Sequence, residues 1–321
     1  MKKRIWFSVF CVLLAVFFLW WGIRPVVSTT TEEEADTVAL LLDTDIGTTA
    51  LQIKQGAKLA AKEQKMELLT TTADDAGSAA HGQAETMMEL LAKNVAAILL
   101  VPVEGEDLSQ ALDAAARQKV PVLTLGETLD ADGVACAIGS DNEEVGALAA
   151  RALLEKLAGP GSVILITGGQ DDAAAAARLK SAETVLEADE DLTILCRTPL
   201  WTDTPEEVLT LLAGYQHVDG ILCLTDDDTE TVAKAMGRLE RHICLVGMDC
   251  GQNRATYMEN RQVDAMVLGM PYAMGYLGVQ FAAGALAGDE VPERFDTESR
   301  VIDLNNMYLP ENQKLAFPIL Q

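Results

Sequence analysis

The stretch HICLVGMDCGQ, residues 242–252, decides the fold. Its short apolar run at 243–248 is bounded by charge before and by Asp249, Cys250 and Gly251 after. A run of this length predicts a buried parallel strand rather than a helix. Asp249 follows the strand directly, and ligands of open α/β sheets bind beyond the carboxyl ends of the strands. Asp249 is therefore a candidate ligand contact.

The same pattern of apolar strand, polar tip and helix recurs along the chain. Strands are predicted at 38–42, 66–70, 96–101, 120–125, 133–138, 163–167, 192–197, 220–224, 243–248, 265–269 and 300–304. Helices between consecutive strands imply right-handed crossovers and parallel sheets. Because the pattern restarts after Ser140, we predict an α/β protein with two doubly wound, Rossmann-like lobes.

The composition indicates a globular protein with an acidic surface. The 321 residues suffice for two hydrophobic cores, and the formal net charge is -25. All 49 acidic residues follow Ser28, and four of the 24 basic residues precede it, which leaves 20 bases against those acids. A surface this acidic repels nucleic acid and anionic lipid, which argues against DNA binding.

The N-terminus carries a targeting signal. A basic start, KKR at 2–4, precedes the uncharged residues 5–23, which are long enough to span a bilayer. We predict export, with residues 1–28 as an uncleaved membrane anchor and residues 29–36 as an acidic tether. In the alternative interpretation the segment is a signal peptide cleaved near Ser28, and the protein is secreted.

Residues that would support catalysis or a metal site are sparse. The sequence contains no G-x-S-x-G, no H-E-x-x-H and no P-loop lysine, and its six cysteines form no C-x-x-C pair. The histidines, His81, His217 and His242, fall away from the strand tips. We therefore expect a binding protein without metal or cofactor rather than an enzyme. Buried free thiols are expected. A disulfide between Cys223 and Cys244 is the alternative if their strands are neighbours.

Several segments in a fixed order carry a family resemblance. They are VALLLDTDIGTTALQIKQGAKLAAK (38–62), residues 98–127, GSDNEEVG (139–146), residues 220–236 and LVGMDCGQNRATYMENRQVDAMVLGMP (245–271). Together they resemble periplasmic sugar-binding proteins of the ribose- and galactose-binding type, from Asp36 to about Leu304. The resemblance implies the type I periplasmic binding protein fold, in which two lobes joined by a hinge of three strands close on a ligand.

The resemblance also implies how the chain divides. The N-terminal lobe would comprise residues 37–139 plus 270–297, and the C-terminal lobe residues 140–269 plus 298–310. Residues 311–321 would form a tail. The hinge would lie at Ser140, Asp141, Gly269, Met270 and Ser299.

Three residues match cleft positions of the family. Asp249 falls where the family has the aspartate that grips sugar hydroxyls, Arg178 where it has a cleft arginine, and Trp201 where an aromatic face often stacks on the sugar. The competing interpretations are a solvated or hinge-capping carboxylate for Asp249, an intrahelical ion pair for Arg178, and an aromatic cover of a loop for Trp201.

Four further candidates lie at strand tips. Asp43 and Asp45 follow the first strand, and capping of the next helix is their competing role. Glu127 and Thr225 stand where the family has an aspartate–arginine pair and an asparagine. We interpret Asp226 as a cap and dipole partner of the helix that follows, not as a ligand group.

The chain also departs from the family pattern. Thr48-Thr49-Ala50 replaces an aromatic pair after the first strand, and Gly269 replaces a glutamine. These departures argue against a simple ribose or glucose pocket. Carboxylates outnumber bases at the strand tips, which favours a neutral polyol or a cationic ligand over an anion.

We therefore predict an exported, membrane-tethered, monomeric solute-binding protein that captures a sugar, a polyol or a related compound between its lobes. Delivery to an ABC permease is the role that the resemblance implies, and an uncleaved anchor also suits ligand sensing for a membrane sensor kinase. The ligand-binding core of a lactose-repressor-type regulator shares this fold, but the anchor and the acidic charge disfavour it.

Overall fold

The computed structural model describes residues 35–43, 47–73, 82–103, 105–126, 132–169 and 172–317. The strands are β1 (Thr37–Leu42), β2 (Glu67–Thr72), β3 (Ala97–Leu100), β4 (Val122–Gly126), β5 (Val134–Ser140), β6 (Gly161–Ile166), β7 (Leu192–Thr198), β8 (Gly220–Cys223), β9 (Cys244–Gly247), β10 (Ala265–Leu268), β11 (Arg294–Thr297) and β12 (Arg300–Asp303). The helices are α1 (Thr48–Gln64), α2 (Gln83–Ala92), α3 (Ser109–Gln118), α4 (Asn142–Leu157), α5 (Ala173–Leu186), α6 (Pro205–Ala213), α7 (Asp226–Met236), α8 (Arg254–Glu259), α9 (Pro271–Ala287) and α10 (Gln313–Ala316).

The strands assemble into two six-stranded sheets, one in each lobe. The first has the order β11-β5-β4-β3-β1-β2, and its strand pairs are parallel. The second has the order β12-β10-β9-β8-β6-β7, and its pairs are parallel except for the antiparallel pair β10–β12. The predicted fold of two doubly wound lobes is confirmed, and the antiparallel β12 corrects the expectation of uniformly parallel sheets.

Strand β1 shows why the apolar runs become central strands. Val38, Leu40 and Leu42 pack on one face of the first sheet with residues of α1 and α9, whereas Ala39 and Leu41 pack on the other face with residues of α2 and α3. All five side chains are fully buried. A strand that helices cover on both faces appears in the sequence as a continuous apolar run.

Helix α9 follows a strand of the second sheet but packs in the first lobe. A side-chain carbon at Gly56 of α1 would collide with the Tyr272 carbonyl oxygen, and one at Gly275 of α9 would collide with the Ile53 carbonyl oxygen. The two glycines therefore allow the backbones of α1 and α9 to approach closely. The first lobe thus contains a helix that the chain reaches only after β10 of the second lobe.

The chain crosses between the two sheets after β5, after β10 and between β11 and β12. The residues predicted for a hinge lie at these crossings. Ser140 and Asp141 lie at the first, Gly269 and Met270 at the second, and Ser299 at the third. Asp141 also caps α4, because its carboxylate accepts the backbone N–H groups of the first helical turn.

The three crossings contact one another. Thr297 donates its hydroxyl to the Gly139 carbonyl oxygen at 3.0 Å, and the hydroxyl oxygens of Ser299 and Ser140 lie 3.3 Å apart. A side-chain carbon at Gly269 would lie 3.2 Å from the Ser140 hydroxyl oxygen. A change in the angle between the lobes would therefore concentrate in a few adjacent residues.

The described cysteines are free thiols. Strands β8 and β9 are neighbours, with Gly220 opposite Cys244. Cys223 lies three residues beyond Gly220, so its side chain points to the opposite face of the sheet from that of Cys244. The alternative of a disulfide between Cys223 and Cys244 is therefore wrong.

The predicted anchor, residues 1–28, lies outside the described residues, as does most of the tether. Within the described part of the chain, no helix combines the length and the apolar character needed to cross a membrane.

Candidate functional site

A cavity of about 380 Å³ lies between the lobes, at the carboxyl ends of strands from both sheets. Its polar lining comprises Asp43, Thr49, Gln52, Ser140, Asn142, Arg178, Asp226, Asp249, Arg254 and Ser299. Its apolar lining comprises Ile53, Val101, Leu125, Val145, Met248, Val267, Leu268, Pro271 and Met274. This edge of an α/β sheet is where ligands bind, and the volume suits one small molecule.

Asp249 lines the cavity, but protein groups engage both of its carboxylate oxygens. Oδ1 accepts the Gly251 backbone N–H at 3.0 Å, and Oδ2 accepts a hydrogen bond from Arg254 Nη2 at 2.6 Å. Burial raises the pKa of Asp249, and the Arg254 charge and nearby backbone N–H groups partly offset that rise. Asp249 is thus a paired carboxylate at the edge of the cavity.

Arg254 joins the two lobes. Its side chain is 2 % exposed, and besides Asp249 it donates to the Gly251 carbonyl oxygen at 2.8 Å and to the Leu315 carbonyl oxygen at 2.6 Å. Its Nη2 also lies 3.2 Å from the Thr48 hydroxyl oxygen at the start of α1 in the first lobe. A second contact of the same kind links Gln52 Nε2 to the Lys314 carbonyl oxygen at 3.3 Å.

Sequence reasoning missed Arg254, although the sequence contains a signal for it. Arg254 precedes Tyr257 and Met258 by three and four residues, and all three are the buried residues of α8. Helical spacing therefore places the arginine on the apolar face of the helix. A buried arginine needs a carboxylate or several carbonyl partners, which Asp249 and Leu315 supply.

Arg178 lies in α5 and lines the cavity. Its Nε donates to the Asn142 side-chain oxygen at 2.9 Å, and its Nη1 donates to the Leu224 carbonyl oxygen at 2.8 Å. Both acceptors are neutral, so neither hydrogen bond pairs the guanidinium with a carboxylate. Among the described residues it forms no intrahelical ion pair, which was the competing interpretation.

Asp226 and Thr225 exchange the roles expected from the sequence. Thr225 caps α7, because its hydroxyl oxygen accepts the Asp228 backbone N–H at 3.2 Å and its hydroxyl donates to Asp228 Oδ2 at 2.7 Å. Asp226 instead lines the cavity, and within the described part of the chain its carboxylate accepts no hydrogen bond. The Asp226 side chain is exposed, yet its position between the lobes raises its pKa to about 7, chiefly by desolvation and then by the charge of Asp249, against the opposing charges of Arg178 and Arg254.

The remaining predicted site residues have different outcomes. Asp43 lines the cavity at the end of β1. Asp45 and Glu127 lie outside the described residues. Trp201 does not line the cavity: its side chain is 71 % exposed, and the Glu207 carboxylate at the start of α6 binds the backbone N–H groups of Trp201 and Thr202 at 2.8 Å each. This loop follows β7, the edge strand of the second sheet, away from the strands that end at the cavity.

A second cavity, of about 450 Å³, adjoins the first and shares Asp43, Asp226 and Asp249 with it. We call it the outer cavity. Asp227 and Glu230 of α7 also line it, and no lysine or arginine of the described chain does. Five carboxylates thus line the outer cavity; Asp249 is paired with Arg254 and Glu230 with Lys234, whereas Asp226 and Asp227 form no ion pair with the described residues.

The described lining of the two cavities contains no aromatic side chain. Neither cavity has a phenylalanine, tyrosine, tryptophan or histidine among its described lining residues. The described residues also contain no group of three or more histidine, cysteine or acidic side chains arranged to hold a metal ion. The described side chains that line the two cavities are therefore charged, polar or non-aromatic apolar.

This architecture is similar to that of several known proteins. Residues 38–290 match a family model described as a periplasmic binding protein domain. The ribose import binding protein RbsB of Haemophilus influenzae is 25% identical over 272 residues, which cover 83% of this chain and 91% of that protein. GanP, a glucose-galactose binding protein from Geobacillus stearothermophilus, has a TM-score of 0.76 at 24% identity, covering 86% of this chain and 100% of GanP. An Agrobacterium radiobacter carbohydrate transporter solute-binding protein in complex with D-arabinose has a TM-score of 0.76 at 20% identity, covering 88% and 99% of the two chains.

Proposed function

This chain belongs to the periplasmic binding protein family, and we propose that it captures a small polar ligand, a sugar, polyol or related compound, in the cavity between its lobes. Its relatives are sugar-binding transport proteins, and the chain is an extracytoplasmic binding protein rather than an enzyme. The observation that carries the proposal is one cavity lined from both lobes, with charged side chains at its polar end and aliphatic walls around it.

The groups that would hold the ligand come from both sheets. Asp43 from the first lobe and Arg178 and Asp226 from the second lobe face the cavity. Asn142 and Ser140 add neutral donors and acceptors near the crossings. Charged and neutral groups converging on one small cavity suit a compact ligand with several hydroxyl or amino groups.

Closure of the lobes on the ligand is part of the proposal. The crossings at Ser140, Gly269 and Ser299 form one adjacent group and would act as the hinge. The contact of Arg254 with Thr48 exists only when the lobes are near each other, so it would favour the closed arrangement. Binding a ligand that touches both lobes would shift the protein further toward closure.

We propose delivery of the ligand to an ABC permease as the cellular role, with the protein acting as a monomer held to the membrane by residues 1–28. The uncharged residues 5–23 favour this tether, and the same tether supports a second role in ligand sensing for a membrane kinase. Crosslinking in cells, followed by identification of the membrane partner, separates the two: a permease supports transport and a histidine kinase supports sensing.

Thermal-shift screening of the purified chain against sugars, polyols, amines and nucleosides tests the binding function. A ligand at about a hundred times its dissociation constant should stabilise the protein by about 2.7 kcal/mol. Arg178→Met should weaken that stabilisation, because the variant removes a charged group from the cavity. Arg151→Met changes an exposed arginine of α4 and is the matched control. A stabilising ligand whose effect is the same in Arg178→Met would place binding elsewhere.

A further inference from the structure

We propose that the ligand carries a primary ammonium group and that Asp226 is its counter-ion. This inference rests on the proposed binding function and names the ligand class as an amine-bearing polyol, such as an amino sugar or an aminocyclitol. It moves the principal ligand contact from Asp249, which its position in the sequence suggested, to a neighbouring strand tip.

The first step concerns the hydrogen bonds that Asp249 already makes with groups of the protein. Arg254 and the Gly251 backbone N–H already occupy its two carboxylate oxygens. Arg254 in turn is committed to acceptors of the protein, and its side chain is 2 % exposed. This pair therefore contributes little net charge to the cavity, and a ligand that displaced Arg254 from Asp249 would leave a buried guanidinium without its counter-ion.

The second step concerns the carboxylate of Asp226, which has no partner among the described residues. It lines both cavities and makes no hydrogen bond or ion pair with the described residues. Desolvation and the charge of Asp249 raise its pKa to about 7 against the opposing charges of Arg178 and Arg254, so its ionised form is less favoured than that of an ordinary aspartate. An ammonium group beside Asp226 would stabilise the ionised form and would donate hydrogen bonds in place of solvent.

The field of the outer cavity is the third step. Five carboxylates, from Asp43, Asp226, Asp227, Glu230 and Asp249, line it without a described lysine or arginine. Asp249 is paired with Arg254 and Glu230 with Lys234, so the uncompensated negative charge lies at Asp226 and Asp227, which form no ion pair with the described residues. Such a surface attracts ions of the opposite charge and repels ions of the same charge. A cationic ligand is therefore drawn toward Asp226, and a sugar acid is repelled along the same path.

The lining limits the kind of cation. Quaternary ammonium groups are usually held by aromatic faces, and the described lining of both cavities has none. A primary ammonium group instead needs hydrogen-bond acceptors, which Asp226 and the hydroxyl oxygen of Ser140 can provide. The hydroxyl-bearing part of the ligand would then face Arg178.

Isothermal titration calorimetry with matched compounds tests the inference. The probes are D-galactose and D-galactosamine, D-glucose and D-glucosamine, myo-inositol and scyllo-inosamine, with D-galacturonate as the anionic probe, each titrated at pH 7 into the full chain. At least one amino compound should bind about tenfold or more tightly than its neutral parent, the effect of one charge-assisted hydrogen bond. Asp226→Asn should remove that preference, whereas Asp227→Asn, a change in the same helical turn, should keep it.

Each other outcome overturns the inference. If a neutral parent or D-galacturonate binds more tightly than the amino compound, the ligand class is wrong while the proposed binding function stands. If the amino preference survives in a folded Asp226→Asn variant, Asp226 is not the counter-ion. If no probe of any charge binds, both the inference and the proposed sugar- or polyol-binding function fail.

Discussion

Arg254 and Asp249 form a buried ion pair, with Nη2 of the arginine 2.6 Å from Oδ2 of the aspartate. The arginine begins α8, and the aspartate lies two residues beyond the end of β9. Through the same guanidinium, the site is tied to Thr48 in the first lobe and to the Leu315 carbonyl oxygen near the C-terminal end of the described chain. Changes at this pair should therefore affect stability and lobe closure together.

Arg254→Met should destabilise the protein by roughly 3–5 kcal/mol, because it leaves the Asp249 carboxylate and the Leu315 carbonyl without their partner in a buried site. Urea denaturation followed by circular dichroism measures the loss. Arg238→Met is the matched control, since Arg238 pairs with Glu206 on the surface, where such pairs contribute about 0–1 kcal/mol. Equal losses for the two variants would contradict the role of the buried pair.

Asp226→Asn should stabilise the ligand-free protein, and more so at pH 8 than at pH 4.5. The pKa of Asp226 is about 7 in the folded protein, above its ordinary value of 3.8. As the pH rises between these values, the unfolded chain ionises this group while the folded protein retains the proton, so wild-type stability falls. The variant has no carboxylate at this position, so its stability does not fall in this way as the pH rises. Melting temperatures of the two proteins across the pH series measure the difference.

Asp227→Asn is the control for this pH series. Asp226 and Asp227 share the first turn of α7, so both substitutions remove a carboxylate near the N-terminus of the helix. If the two variants change the melting temperature alike at every pH, the effect belongs to the helix dipole and not to the cavity.

Thr48→Val should open the ligand-free protein. The substitution keeps the size of the side chain but removes the hydroxyl oxygen that Arg254 reaches across the lobes at 3.2 Å. Hydrogen bonds to charged groups contribute about 1.5–3 kcal/mol, enough to change the balance between closed and open arrangements. Small-angle X-ray scattering should show a larger radius of gyration for Thr48→Val. The control Thr184→Val, on an exposed face of α5, should leave the radius of gyration unchanged.

Gly275→Ala should destabilise the first lobe by about 1–3 kcal/mol or more, because its new methyl group would overpack the α1–α9 contact at the Ile53 carbonyl oxygen. Gly159→Ala is the control, since no heavy atom lies within 4 Å of a side-chain carbon placed there. Urea midpoints compare the two variants, and similar midpoints would show that α9 can shift to accommodate the methyl group.

The fold was predictable because its central strands are covered by helices on both sides. In β1, Val38 to Leu42 are all buried, so the strand stands out as an apolar run between polar segments. Strand β11 lacks this property: Arg294, Phe295 and Asp296 are exposed, and only Thr297 is buried. Its place in the sheet depends on pairing with β5, which no local pattern reveals.

The candidate site was predictable from the sequence only for residues that follow a strand or match a position of the family. Position after a strand pointed to Asp43 and Asp249, and the family resemblance pointed to Arg178; all three line the cavity. Position could not decide between Thr225 and Asp226, because the choice of helix cap depends on which side chain turns back to the backbone. Tertiary contacts also decide the role of Arg254, whose partners lie up to 206 residues away in the sequence.

The order of the crossings has a consequence for synthesis. Helix α9 and strand β11 complete the first lobe, yet the ribosome makes them after β10 of the second lobe. Until then Leu40 and Leu42, on the face of the first sheet that α9 covers, lack part of their cover. The N-terminal lobe therefore cannot finish folding while its first half is emerging. A chain cut after α4 would expose apolar surface and aggregate rather than yield an independent domain.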